Sequence, residues 1–311
     1  MSNEIITTDW KSRAPIWGGL GTDISGLNNI DDVLDKANLN WDVLEKPIVT
    51  EDGIPLPGYK ATVRDVDQFP LGIVSDNYET LSNRECYGFL QELLKYGFRF
   101  MFAGMFNGGR KTWVLLKTPK NYMLSGDRLS EYIVCLNSHD GSSSMRIVFT
   151  PIRCICSNMI SISLRKAARA FSFKHTSTIQ SRMATALETM DRNQEYMEAL
   201  VDQLQSLTYI SVAREDVQRF LEELMPIPED ASSIQEQNVW KQRYDVLDRY
   251  DNAPDLKNLP ETGYRFIQSL TDHFSHATPN RQTKNYQERL FVRSLDKGMA
   301  IVDKGIQLIA G

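Results

Sequence analysis

Between Trp41 and Phe149 short stretches of strand-forming residues are separated by glycine-bearing turns, and this punctuation constrains the fold more than any other feature. Asn107-Gly108-Gly109 and His139-Asp140-Gly141 are hairpin turns, because Asn-Gly and Asp-Gly accept the positive φ that tight reversals need. Strands joined by such short links must run antiparallel, and a helix can then cover only one face of the sheet. One helix interrupts the series. Ser82-Asn83-Arg84-Glu85 reads as a capping box, Cys86, Phe89, Leu90, Leu93 and Leu94 follow as an apolar stripe, and Gly97 ends it. The order from Trp41 is therefore β-β-β-α-β-β-β-β-α. That is an α+β class: a mostly antiparallel sheet with covering helices, followed by an all-helical C-terminal region. No glycine fingerprint of a dinucleotide or P-loop site is present, which sets those chemistries aside.

The individual strands are read from alternation. Trp41, Val43, Ile48 and Val49 suggest one strand interrupted near Pro47, and Gly53 to Gly58 reads as a loop. Tyr59 to Val66 places Ala61 and Val63 opposite Lys60, Thr62 and Arg64, and Leu71 to Val74 is a further short strand. Phe98, Phe100 and Phe102 share one face at period two. Glu131 to Asn137 and Met145 to Phe149 complete the set, with Pro151 expected at a sheet edge or bulge. Residues 1–40 read as an N-terminal arm, with Trp10 and Trp17, and a short helix at Ile30 to Ala37. Residues 41–177 form the core domain and 178–311 the helical region.

Charge singles out one stretch. The chain of 311 residues has net charge -5, yet the 47 residues from Gly141 to Leu187 contain no Asp or Glu. Seven cations lie there: Arg146, Arg153, Arg165, Lys166, Arg169, Lys174 and Arg182. Positive charge concentrated on an acidic protein points to an anionic partner. Ser157-Asn158 reads as the N-cap of a helix to about Ala170, with Ile160, Leu164, Ala167, Ala168 and Phe171 apolar and Arg165, Lys166 and Arg169 in a charged stripe. A helix N-terminus is a natural phosphate seat. Arg153 just before it could make a forked contact to the same phosphate. The candidate phosphate-binding set is Arg146, Arg153, Asn158, Arg165, Lys166, Arg169, Lys174 and His175. The plain alternative is that these arginines are solvated or pair with carboxylates of the acidic C-terminal region.

His139, Asp140 and the serines 142–144 have the residue types of a nucleophilic or acid–base site, but an Asp-Gly hairpin turn explains them without chemistry. Cys154 and Cys156 with His139 or His175 offer metal-ligand types without the CxxC spacing of a structural zinc site. No catalytic residue, metal or cofactor is assigned. The four cysteines are too few and too clustered for a disulfide scaffold, so reduced thiols are expected. No stretch nears the roughly 20 apolar residues of a membrane span, and MSNEIITTDWKSR has no apolar signal region. A cytoplasmic protein is the expectation. From Ile179 to Leu204, apolar residues recur at heptad spacing, with Gln194 at one seam position. This is either a helix laid on its own domain or a seam for homo-oligomerisation. Asp272, His273 and His276 fall in a later helix and read as structural.

These residues also carry a resemblance. HDGSSSMRIVFTPIRCICSN, the preceding LGIVSDNYETLSNRECYGFL and AGMFNGGRKTWVLLK, and the downstream GYRFIQSLTDHFSH resemble the phage/plasmid-like proteins grouped as "domain of unknown function 932". The likeness covers about Pro15 to Lys297. Members often carry Val-Val-Cys-Asn-Asn where this chain has Cys154-Ile155-Cys156-Ser157-Asn158, so Cys156 is the matching cysteine. The resemblance implies a gene of phages, plasmids or other mobile elements. In pattern, the strand-rich core with a basic helix is also similar to the single-strand annealing recombinases of phages. Three functions follow as expectations. The first is single-stranded DNA binding or annealing in recombination or replication. The second is a non-enzymatic protein that inhibits a host defence or replication factor. The third is a metal-dependent nuclease or hydrolase using His139, Asp140 and His175.

Overall fold

The computed structural model describes residues 20–124, 127–143, 145–153, 170–173, 198–277, 286 and 297–310. The predicted α+β class holds: two antiparallel sheets fill the first half and helices the second. The smaller sheet is β2 (Val43–Val49), β3 (Pro55–Arg64) and β4 (Pro70–Ser75), in sequence order. The larger has six strands in the order β1 (Thr22–Asp23), β5 (Arg99–Phe106), β6 (Lys111–Leu124), β7 (Asp127–Ser138), β8 (Met145–Arg153) and β9 (Ala170–Phe173). Between them lie the short helices α1 (Ile30–Lys36), α2 (Asn83–Tyr87) and α3 (Leu90–Leu93).

The capping box starts α2 as expected: the Ser82 hydroxyl takes the Glu85 N–H while the Glu85 carboxylate takes the Ser82 N–H. The helix does not run on unbroken. It divides at Gly88 into α2 and α3, tightens to a 3-10 turn at Leu94–Tyr96, and stops at Gly97 in the left-handed region (φ 85°). Its apolar stripe, Cys86 included, packs with α1 on one face of the large sheet, against Phe98, Phe100, Val114, Ile133, Cys135 and Ile147.

Phe102 departs from the expected row. Phe100 pairs with Leu116 but Phe102 pairs with Leu115, so Met101 is an extra residue in β5. This bulge turns Phe102 to the opposite face, with Trp113, Leu115, Tyr132 and Val134. Three further readings are corrected. Pro55 to Gly58 belong to β3, paired through Val49 and Pro55, instead of a loop. Thr62 and Val63 are both buried, because the β3–β4 register shifts between them and breaks the alternation. Phe171 and Ala170, expected at the end of a helix, lie in β9, where Ala170 pairs with Val148 and Phe171 with Ile147. Pro151 sits in β8 opposite Glu131 and beyond the part of β8 that β9 covers, so its missing N–H leaves no described ladder bond unmade.

The helical half has its own core. The helical stretch 198–207, α4 (Arg214–Leu224), α5 (Ser233–Asn252) and α7 (Lys297–Ala310) surround α6 (Gly263–His276). Every residue of α6 from Gly263 to Ser275 is buried. Leu124 and Leu129, at the far ends of β6 and β7, join this core. Leu200 and Leu204 do too, so the described end of the heptad stretch packs within its own chain; Ile179 to Met197 lie outside the described residues.

Candidate functional site

Two strand faces and two turns place the groups that sequence reasoning singled out. His139 follows directly after β7 and is buried. Its N–H donates to the Arg110 carbonyl (2.8 Å), and its own carbonyl accepts from the Thr62 hydroxyl (2.8 Å), which ties the small sheet to the large one. The ring Nε2 lies 3.1 Å from Asn83 Oδ1 and 3.4 Å from Asn137 Nδ2. Asn83 also accepts from Thr112 (3.0 Å), donates to the Leu39 carbonyl (2.9 Å), and is linked through Thr112 to Tyr87 (2.8 Å). His139 is thus a joint between four segments. Asp140 points away into its own turn. One carboxylate oxygen accepts from the Ser138 hydroxyl (2.5 Å) and the Ser142 N–H (2.9 Å). Partial burial pushes this carboxyl up, but those hydrogen bonds outweigh it and hold the pKa below the usual value. The two neighbours do not act on a common atom, which is what an acid–base pair would require.

The second place is the outer face of the large sheet, opposite the face that α1 to α3 cover. Directly paired residues share a face, so the register assigns it. The rows are Arg99–Lys117–Tyr132, Phe102–Leu115–Val134–Val148, Trp113–Leu136–Arg146 and Lys111–Ser138. From β5 to β8 this face carries four cations, Arg99, Lys111, Lys117 and Arg146, and no carboxylate at any of these paired positions. Arg146 is exposed between the buried Met145 and Ile147. Lys117 lies over the Tyr132 ring at 5.8 Å. The aromatic middle, Trp113 and Tyr132, is buried, so it stacks in the fold and not on a ligand. Sequence reasoning picked out Arg146 but missed Arg99, Lys111 and Lys117. Their alternation with the apolar residues of β5 and β6 was the available signal.

Of the other predicted phosphate contacts, Arg153 is the last residue of β8. Asn158, Arg165, Lys166, Arg169, Lys174 and His175 lie outside the described residues, as do Cys154 and Cys156. What the structure does show is where that segment is attached: it leaves β8 and returns as β9 along the same sheet edge. Cys86 and Cys135 are buried free thiols, and burial pushes the Cys135 thiol up, away from thiolate chemistry. Among the described residues, no three His, Cys, Asp or Glu side chains gather as a metal site.

A family profile described as "Domain of unknown function (DUF932)" matches residues 70–295. The chain belongs to this family. The match begins at β4 and runs through the SHDGS turn, the basic edge and α6, so DUF932 unites the sheet and the helical block. No curated protein matches the chain, and no solved structure does.

The third place is inside the helical block. Arg249 of α5 is fully buried between two carboxylates, Asp245 (2.6 Å) and Asp272 of α6 (2.5 Å). His273 Nδ1 meets the same Asp245 oxygen at 2.6 Å. Burial pushes the Asp245 carboxyl up, but His273 and Arg249 overcome this and set it at about 2. Arg265 donates to the carbonyls of Tyr250 and Leu259, closing the C-terminal end of α5. The Asp272-His273 pair belongs to this packing network. Among the described residues no helix is long and apolar enough to cross a membrane.

Proposed function

We propose that this DUF932 protein binds nucleic acid through the outer face and β8–β9 edge of its large sheet, acting in the cytoplasm on DNA of a mobile element such as a phage or plasmid. The carrying observation is that the β5 to β8 rows of this face bear Arg99, Lys111, Lys117 and Arg146 and no carboxylate, Asp23 of β1 standing at the far edge beside Phe102, and that β8 leads into a 47-residue stretch that also lacks Asp and Glu. On a chain of net charge -5 this field attracts a polyanion to one side only. Single strands are the favoured substrate. Duplex readout inserts a helix or ribbon into the major groove, whereas cations along the margin of a sheet suit a flexible phosphate backbone. Strand annealing in recombination or replication is the role this would serve, and Arg153, Asn158, Arg165, Lys166, Arg169, Lys174 and His175 extend the contact.

The test is fluorescence anisotropy with labelled single-stranded and duplex oligonucleotides over a salt series, on protein freed of nucleic acid. Single-strand binding should weaken linearly in log salt. Arg146→Glu should weaken it for every sequence and lower the salt slope by about 1, with thermal stability unchanged because the side chain is exposed. No binding at low salt, or Arg146→Glu and Lys117→Glu binding as wild type, would remove the proposal.

A further inference from the structure

The longest described helix, α5, buries Val246, Leu247 and Tyr250 in the helical core. Its opposite face is not polar throughout. Trp240 and Tyr244 leave 51% and 54% of their surface exposed, and Ile234 near the start of the helix is exposed as well. Trp240 and Tyr244 stand one turn apart, so their rings are neighbours on one face. The Trp240 ring is held in place from beneath. The Arg243 guanidinium lies over it at 5.0 Å and donates to the Met225 carbonyl (3.0 and 2.7 Å) at the end of α4, reaching that of Glu222 as well (3.5 Å). This buried cation is committed to backbone oxygens, and it sets the aromatic pair beside the end of α4.

The surround is acidic. Residues 220–248 hold seven carboxylates and two cations, a net charge of -5 that equals that of the whole chain. Asp245 is held inside the block by Arg249 and His273, and Asp248 accepts from the Asn252 amide. The other five, Glu222, Glu223, Glu229, Asp230 and Glu236, are exposed and have no ion-pair partner among the described residues. Lys241 is the one exposed cation of the stretch. Glu236 stands one turn before Trp240 and Asp248 one turn after Tyr244, so a carboxylate flanks the aromatic pair on each side. These two carboxylates are about 18 Å apart along the helix.

We infer that this face of α5, with the end of α4, docks an arginine-rich segment of another protein. Charge and shape both select that occupant. A nucleic acid is repelled. A single metal ion finds no seat, since no three His, Cys, Asp or Glu side chains gather among the described residues. An apolar partner would bury carboxylates without pairing them. An extended polycation satisfies both features: guanidinium groups stack on Trp240 and Tyr244 and make forked contacts to Glu236, Asp248 and Glu222. Arg243 over Trp240 is the same stacking contact made within the chain. The basic face of the large sheet carries the opposite charge, so the two surfaces select different partners.

Fluorescence anisotropy of a labelled nona-arginine peptide with the full chain, freed of nucleic acid, tests this, with nona-lysine as a probe of equal charge. Nona-arginine should bind saturably, less tightly as salt rises. Nona-lysine should bind about threefold or more weaker, because an ammonium lacks the planar fork. Tyr244→Ala should weaken nona-arginine about threefold to tenfold and narrow its lead over nona-lysine, with the melting temperature near wild type because the side chain is exposed. Trp240→Ala should act in the same direction. Glu236→Lys with Asp248→Lys should weaken binding further. Glu51→Lys with Asp52→Lys makes the same charge change on the small sheet, at the exposed tip between β2 and β3, and should leave binding near wild type. Three results would each overturn the inference: no saturable binding at low salt, Tyr244→Ala and Trp240→Ala both binding as wild type, or the small-sheet reversal weakening binding as much as the α5 reversal. Oligonucleotide binding by the outer sheet face should be unchanged in Tyr244→Ala, so the two readings fail separately.

Discussion

The joint at His139 and the joint at Arg249 solve the same problem with different chemistry. Each fixes one element against another through buried polar groups. At His139 these are neutral: Asn83, Thr112, Tyr87 and backbone carbonyls. At Arg249 they are charges, one guanidinium between Asp245 and Asp272 with His273 alongside. A neutral hydrogen-bonded joint loses little more than its bonds when one member goes, because a neutral group left behind is moderately costly to bury. An ionic joint leaves a bare charge in a low-dielectric interior. The sheet half should therefore tolerate damage at its joint better than the helical half does.

The largest expected effect is Arg249→Met. It strands Asp245 and Asp272 and should cost about 3–5 kcal/mol in urea unfolding. Amide exchange should rise in α5 and α6 well before it rises in β6 and β7. Equal loosening of both would mean the halves unfold as one unit. Next is Asn83→Leu, which removes the acceptor for Thr112 and the partner of His139 and should cost about 2–3 kcal/mol. A loss as large as that of Arg249→Met would break the contrast. Acid comes third. Asp245 has a folded pKa of about 2, below the ordinary 3.8. Its stabilising contribution is thus complete above the unfolded value and is lost as pH falls from about 4 to about 2. That is about 2 kcal/mol, read as acid-induced exchange in α5 and α6, and Asp245→Asn should flatten it. The smallest effect has the opposite sign. Gln268 of α6 is buried, and among the described residues neither of its amide atoms has a hydrogen-bond partner. Gln268→Met should raise stability by about 1 kcal/mol, because it removes an unpaired buried amide at similar volume. A destabilised Gln268→Met would place a polar partner in that interior.

The sequence by itself determined what depends on near neighbours. The Ser82–Glu85 capping box, the stop at Gly97, the Asn107-Gly108-Gly109 turn and the antiparallel order within β2 to β4 and within β5 to β8 follow from hydrogen bonds and φ preferences within a few residues. Family membership was legible for a similar reason, since its motifs are contiguous. Tertiary structure decided whatever depends on register and on burial by distant segments. One extra residue at Met101 sends Phe102 to the other face, because side chains alternate with period two and a single insertion inverts all that follows. The basic face joins Arg99, Lys111, Lys117 and Arg146 from four strands, a grouping that pairing alone creates. His139 and Asp140 look alike on the page, yet one is enclosed by Asn83 and Thr62 while the other is held within its own turn. Nothing in the sequence around Arg249 marks it as an interior residue. It is buried because α6, apolar and polar positions alike, is enclosed on every side, and an enclosed cation requires carboxylates from elsewhere in the chain to hold it.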